Sequence, residues 1–342
     1  MKFGIIFGGQ SYEHEISIVS AISLKKVIKK ECAYVFCDQD RNFYLIEPKN
    51  MIANYFSSGE YKKAKELTIA SNGFYVNGMF SKTRVEADVF VNVIHGCDGE
   101  DGKLASLLEF FNIPFIGPRL EASVISYDKE LTKNLAKAAG IKTIEYQIIK
   151  SSTLPSIPYP LIVKPSHLGS SIGIKIVKNH NELSYAIDTA FELDSSAIIE
   201  PYIEDVKEYN LAGCKIDGEI EFSIIEEPQK DKFLDYFQKY MDFSRSGKPQ
   251  EANLGLSVKD NMKEAFRRVY NYGEFDGAII RCDFFVINNE VYLNEINPNP
   301  GSLANYLFND FNDVLNRLAM NLPSNKHIQV GYELINAIVK NK

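Results

Sequence analysis

Two short stretches toward the C-terminal end concentrate residues suited to chemistry. Arg281-Cys-Asp283 and Glu295-Ile-Asn297 each lie in an apolar run of strand character. Residues two apart in a strand face the same way. Arg281 and Asp283 therefore share a face, as do Glu295 and Asn297. Whether the two pairs share one face depends on the turn between the strands. A two-residue turn at Asn288-Asn289 pairs Asp283 with Asn294 and sends Glu295 to the other side. A three-residue turn, Asn288-Asn289-Glu290, sets Asp283 opposite Glu295 and Arg281 opposite Asn297. The three-residue turn is expected here. Carboxylates opposed on a half-buried strand pair repel unless a cation joins them. Oxygen-only donors suit Mg²⁺, which takes one or two carboxylates together with substrate phosphates. A structural Arg–Asp–Glu ion network is the competing reading. The metal reading is preferred because Asn297-Pro-Asn-Pro-Gly301 follows at once, in rigid turns that expose N–H groups.

Four other elements could work beside it. Lys164-Pro-Ser-His-Leu-Gly-Ser-Ser-Ile-Gly173 lies between two apolar strands. A Walker A loop or a Rossmann fingerprint would instead open a helix. Glycines here let a ligand approach the backbone, and successive N–H groups can form an anion nest. Lys164 adds a point charge for phosphate. The loop His95-Gly-Cys-Asp-Gly-Glu-Asp-Gly102 is rich in glycine and faces a strand end, where ligand loops gather. Gly8-Gly9-Gln-Ser-Tyr-Glu13 is a second strand-end turn, and Glu13 alone would read as a first-turn acid. Lys239-Tyr240 falls in the irregular segment 228–252, either a surface loop or a lid that excludes water.

These elements need a scaffold. Phe3–Phe7, the helical spacing of Ile16–Ile28, the strand Val89–Ile94 and the helix Lys103–Phe111 alternate strand and helix. That order predicts parallel strands with helices on their faces, and ligands at the carboxyl ends of the strands. Asn112–Arg119 reads as a linker and Lys129–Ala139 as a helix. Beyond them come strands Tyr146–Ile149, Leu161–Lys164, Ile172–Val177 and Ala197–Glu200, with a helix at Glu182–Phe191. Leu211–Lys215 and Glu219–Ile225 form a hairpin around Asp217-Gly218. Helix Lys259–Tyr272 precedes the strands Ala278–Ile287 and Val291–Asn297. Boundaries are placed near 125 and 205, giving domains 1–125, 126–205 and 206–342.

Bulk properties limit the function class. The chain has 342 residues, 45% hydrophobic and 24% charged, with a formal net charge of −7. Single cores stop growing near roughly 250–300 residues, so more than one domain is expected. The acidic balance argues against nucleic acid or an anionic membrane as the main partner. No window nears the ~20 apolar residues of a membrane span. No secretory leader is read at the start, and the five cysteines are scattered and odd in number. Reduced thiols in a cytoplasmic protein are expected. Cys97, two residues from His95, is read as a packing residue rather than a nucleophile.

Taken in order, these elements resemble the D-alanine–D-alanine ligases of the ATP-grasp superfamily. The most specific parts are His95-Gly-x-x-Gly-Glu-Asp-Gly-x-Leu104 and Arg281-x-Asp283 followed by Glu295-x-Asn297-x-x-Pro300-Gly301. The resemblance runs from Phe7 to Gly301. It implies an α/β fold, α+β in its ATP-binding part, with three domains and a Rossmann-like N-terminal domain. It implies ATP and two Mg²⁺, or Mn²⁺, with D-alanine as substrate, and it admits a homodimer. The carboxylate of one D-alanine would attack ATP to give an acyl phosphate, which the amine of a second would then attack.

The resemblance also implies roles. Lys129, Lys164, Ser171 and Lys239 would meet the phosphates, Glu200 and Ile203 the adenine, and Glu208 the ribose. Asp283, Glu295 and Asn297 would hold the metals. Glu13 would bind the first ammonium, in a triad with Ser170 and Tyr240, and His95 would lie near the first carboxylate. Arg281 and the N–H of Gly301 would stabilise the oxyanion. A lid tyrosine goes with an amine as second substrate, so a dipeptide is expected rather than an ester. Tyr306 and Leu307 stand where a Ser-Leu pair usually grips the second carboxylate. His167 and Leu168 also depart from the usual charged residues.

Overall fold

The computed structural model describes residues 1–78, 81–151, 155–228, 249–324 and 328–340. The first sheet has eight strands: β1 (Phe3–Gly8), β2 (Cys32–Cys37), β3 (Phe43–Ile46), β4 (Lys65–Ala70), β5 (Gly73–Asn77), β6 (Lys82–Arg84), β7 (Val89–Asn92) and β8 (Phe115–Ile116). Their order is β6-β5-β4-β3-β2-β1-β7-β8. The pairs β2–β1, β1–β7 and β7–β8 are parallel. β1 is buried along its whole length, as a strand covered on both faces must be. Phe3, Ile5 and Phe7 point into one core with Ile18, Ala21 and Leu24 of helix α1 (His14–Val27). Ile6 points into the other, toward Leu104 and Leu108. The sequence predicts parallel strands only. The structure adds an antiparallel run, β2 through β6.

The second sheet holds β9 (Gln147–Ile149), β10 (Leu161–Pro165), β11 (Lys175–Val177) and β12 (Ala197–Pro201), in the order β11-β10-β12-β9. All its pairs are antiparallel. The Gly-Ser loop joins β10 to β11, as the sequence indicates. The third sheet is β14-β13-β15-β16, from β13 (Lys207–Ile216), β14 (Glu219–Glu226), β15 (Ile280–Ile287) and β16 (Glu290–Asn297). It packs on the helix Leu256–Tyr272 through Met262, Phe266 and Val269.

Two sequence expectations need correction. Residues 120–127 form a helix, Leu120–Tyr127, so the boundary expected near 125 falls inside it. Its buried side chains are Ala122, Ser123 and Ser126, too small and polar to leave an apolar period. The β15–β16 turn is also not the expected three-residue one. Ile287 pairs with Glu290, leaving Asn288 and Asn289 as a two-residue turn with φ of 51° and 64°. That left-handed pair is the hairpin geometry whose twist matches the strands. Asp283 nonetheless faces Glu295, and Arg281 faces Asn297, because the register shifts by one residue at Asn294. The extra residue is a β-bulge. It supplies the odd residue that the turn does not.

Candidate functional site

The carboxyl end of β16, the start of the helix Lys129–Ala138, β10, β12 and the loop after β10 converge on one cleft. Glu100, Lys129, Lys133, Lys164, Gly169, Glu200, Glu295 and Asn297 line it. Lys129 begins its helix just after the cap Asp128, whose carboxylate accepts from Glu130 N–H and Leu131 N–H at 2.7 and 3.2 Å. The Lys129 ammonium donates to the Leu168 carbonyl in the Gly-Ser loop. Burial pushes its pKa down.

Glu200 on β12 lies between two lysines. Lys164 Nζ and Lys133 Nζ approach its two oxygens, each at 2.6 Å. Burial alone would raise this carboxyl, but Lys164 and Lys133 hold it down to about 2. Sequence reasoning missed Lys133. The signal was there: it sits four residues after Lys129, on the same helix face.

The Gly-Ser loop has the backbone of an anion nest. Ser170 and Ser171 have φ of 55° and 62°, and Gly173 has 74°. The loop is pinned at its base by His167. Its Nδ1 lies 3.0 Å from Asp194 and its Nε2 3.3 Å from Asp128. Hydrogen bonds to the two carboxylates push its pKa up to about 9. A charged side chain is thus present at this departure from the family pattern, as an imidazolium.

At the other end of the loop, the Ser170 hydroxyl donates to Glu13 Oε1, joining the N-terminal domain to the phosphate loop. Glu13 is 6% exposed. Burial, with the nearby Glu100, pushes it up to about 7. Two glycines make room for it. A Cβ on Gly169 would lie 3.3 Å from Glu13 Oε1, and one on Gly96 2.6 Å from Oε2. Lys239 and Tyr240, the rest of the expected lid set, lie outside the described residues.

His95 is buried, with Nε2 2.9 Å from Ser20 Oγ and Nδ1 3.5 Å from Glu100 Oε1. Burial pushes the imidazole below its ordinary range. Burial also raises Glu100, to about 8, against a hydrogen bond from Gly96. Glu100 lies in the loop His95–Gly102, and the sequence alone does not set it apart from Asp98 and Asp101.

On the third sheet, Arg281 grips Asp283 with Nε–Oδ1 and Nη2–Oδ2 distances of 2.6 and 2.8 Å. Asn297 Nδ2 donates to the same Oδ2 at 3.0 Å. Burial raises Asp283 most, Arg281 opposes it, and Glu295 and Glu208 add, leaving it near 7. Asp283 and Glu295 both act on the one guanidinium of Arg281. That donor set fits a divalent cation. Glu208 on β13 adds its field to this cluster and to Lys164. Ile203 is half-buried in the segment after β12.

Beyond β16, Gly301 opens a tight turn, Gly301–Leu307, that carries Tyr306 and Leu307. The Tyr306 hydroxyl contacts Arg281 and Glu226. Burial raises the phenol to about 12, against the pull of Arg281.

A further donor group lies beside the cleft. Cys97, Asp98 and Asp101 bring one ligand atom each within 4.8 Å of one another, a spacing one divalent cation can span. Two cations of the chain already sit there. Arg41 holds Asp98 at 2.9 Å, and Lys103 bonds Asp101. The Cys97 thiol donates to Asp101 at 3.1 Å, and burial raises its pKa. All five cysteines are free.

Family models match most of the chain. "D-ala D-ala ligase N-terminus" covers residues 2–118, and "D-ala D-ala ligase C-terminus" covers 135–311. The chain belongs to the D-alanine–D-alanine ligase family. It is 56% identical to the D-alanine–D-alanine ligase of Campylobacter concisus over 342 residues, 100% of this chain and 99% of that one. It is 54% identical to that of Wolinella succinogenes, over 100% and 99%. Among solved structures, the ligase of Helicobacter pylori is similar with a TM-score of 0.85 and 50% identity, covering 95% of this chain and 100% of that chain. VanG D-Ala:D-Ser ligase from Enterococcus faecalis is similar at 0.75 and 25%, covering 93% and 98%. The architecture is thus the three-domain ATP-grasp ligase fold. Among the described residues, no helix is long and apolar enough to cross a membrane.

Proposed function

We propose that this chain joins two D-alanines into D-alanyl-D-alanine at the expense of ATP, supplying a peptidoglycan precursor. The observation that carries the reading is the Glu13–Ser170 bond. It ties Glu13 on the first domain to the phosphate loop of the second.

ATP is assigned to the space between the second and third sheets. Lys129, Lys164 and Ser171 face its phosphates, Glu200 and Ile203 the adenine side, and Glu208 the ribose. Lys239 belongs to the same set. Asp283, Glu295 and Asn297 would hold Mg²⁺. Once bound, Mg²⁺ would neutralise phosphate charge, which phosphoryl transfer needs more than covalent help.

Glu13 receives the ammonium of the first D-alanine, and His95 lies toward its carboxylate. A carboxylate oxygen attacks the γ-phosphorus, giving an acyl phosphate and ADP. The amine of the second D-alanine, placed by Tyr306 and Leu307, then attacks the acyl carbon. Arg281 and the Gly301 N–H stabilise the tetrahedral oxyanion, and phosphate leaves. Ser170 and Tyr240 would complete the hydrogen-bonded triad with Glu13. The three domains correspond to these three roles, with the first boundary moved off the helix Leu120–Tyr127.

Mass spectrometry of a reaction with ATP, Mg²⁺ and D-alanine tests this. Dipeptide with ADP and phosphate from D-alanine, and none from L-alanine, is the expected result. Phosphate release with another carboxylate but no D-alanine dipeptide would move the substrate. No ATP turnover by folded protein would overturn the catalytic reading.

A further inference from the structure

Ser20 stands in the middle of α1, two helical turns beyond Glu13, and is 1% exposed. Its Oγ accepts from the Ser302 N–H at 3.1 Å and lies 2.9 Å from His95 Nε2. On the far side of the imidazole, Nδ1 lies 3.5 Å from Glu100 Oε1. One row of polar groups thus runs from the loop after β7, through α1, to the turn after β16.

That turn is strained. Ser302, Leu303 and Ala304 have φ of 49°, 54° and 48°, with ψ near 30°. Left-handed conformations crowd Cβ of L-residues against the backbone. Three in succession persist only where the surroundings over-determine them. Leu303 N–H donates to the Pro300 carbonyl at 2.7 Å, and Asn305 Nδ2 to the Ser302 carbonyl at 2.9 Å. Those bonds are internal to the turn. The bond to Ser20 reaches across 282 residues of chain.

We propose that Ser20 is a positioning residue: its hydroxyl holds the strained Ser302–Ala304 turn in register with His95, and so sets the second-substrate pocket against the first. The proposal rests on the ligase reading above. Gly301 enters this turn and Tyr306 and Leu307 leave it, so the oxyanion donor and the second-substrate contacts all hang on its geometry. Without the hydroxyl, the buried Ser302 N–H loses its partner. The turn then relaxes toward right-handed angles. A small misplacement of this kind is expensive in rate.

The test is steady-state kinetics of wild type, Ser20→Ala, Ser20→Cys and Ser20→Thr, with separate KM values for ATP and for the first and second D-alanine. In Ser20→Ala the second-substrate KM is expected to rise about 10-fold and kcat to fall about 10-fold, with ATP KM within about twofold. Ser20→Cys keeps the volume but bonds weakly, so it should follow Ser20→Ala; it also carries the test if the alanine variant fails to fold. Ser20→Thr keeps the hydroxyl and should recover most of the loss. Unchanged second-substrate KM in Ser20→Ala or Ser20→Cys, with only a lower Tm, overturns the proposal. Wild type that makes no dipeptide would instead overturn the ligase reading itself.

Discussion

Asp283 and Glu295 face each other across the β15–β16 hairpin because one residue, Asn294, is bulged out of the ladder between them and the turn. A regular ladder from the same two-residue turn would set Asp283 against Asn294 and remove Glu295 from the site. The bulge converts a stable turn into a register that brings the buried Asp283 and the half-buried Glu295 together, at the end of a strand where Asn297 adds an amide. Arg281 already offsets part of the charge at Asp283, and a divalent cation would offset more.

Replacing one acid therefore separates metal binding from folding. Glu295→Gln keeps shape and hydrogen-bonding capacity while removing one charge. Turnover should fall more than about 100-fold. The rise in Tm that Mg²⁺ with ADP gives wild type should vanish, while Tm in chelator stays close to wild type. A variant that keeps its Mg²⁺-dependent Tm rise would remove Glu295 from the cation site.

His167 gives a pH dependence with a definite sign. Its folded pKa, about 9, lies above its ordinary 6.5. Its contribution is complete below 6.5 and is lost as pH rises through 9. Asp128 and Asp194 are shifted down: burial opposes this, but His167 outweighs it. Their contribution is present above the ordinary carboxylate range and is lost only in stronger acid. The base of the phosphate loop is thus clamped from about pH 4 to 8. In His167→Gln, ATP KM should exceed that of wild type about fivefold at pH 7, and the two should converge near pH 10. Parallel profiles across the whole range would mean that the clamp does not act on nucleotide.

Much of this was legible in the sequence, for physical reasons. β1, β10 and β15 announce themselves as apolar runs ended by glycine, lysine-proline or turn residues, and site groups sit at those ends of β1 and β10. On β15 the site residues Arg281 and Asp283 lie instead at the start of the strand, away from its turn. What was hidden is what leaves no local pattern. The bulge at Asn294 has no residue signature, because Asn suits a regular strand end as well as a bulge. The helix Leu120–Tyr127 buries Ala and Ser, so its inner face reads as polar. The partners of Ser20 lie 75 and 282 residues away, and nothing in α1 points to them. Lys133 was within reach, one helical turn beyond Lys129.

The same hairpin offers a stabilising change remote from the chemistry. Asn288 and Asn289 are exposed and both left-handed. Turns of this kind prefer Asn-Gly. Asn289→Gly relieves a left-handed strain worth up to about 1 kcal/mol, offset in part by the freer unfolded chain. The urea midpoint should rise slightly with kcat unchanged. A lower midpoint would mean that the Asn289 side chain holds the turn by a contact of its own.

Tyr306 tests the second-substrate pocket. Its ring fills the place where a smaller serine is the family habit, and its hydroxyl meets Arg281 and Glu226. Tyr306→Phe keeps the ring and removes only that hydroxyl. A hydrogen bond to a charged group is worth about 1.5–3 kcal/mol, so the second-substrate KM should rise about 10-fold or more. ATP KM should not move, because the ring is remote from the phosphate loop. Tyr306→Ser opens space as well as changing the donor, and should widen acceptance toward D-amino acids larger than alanine. Competition between D-alanine and D-serine, read as the ratio of dipeptide masses, measures that directly. An unchanged ratio in Tyr306→Ser, with unchanged KM in Tyr306→Phe, would place the second carboxylate away from Tyr306.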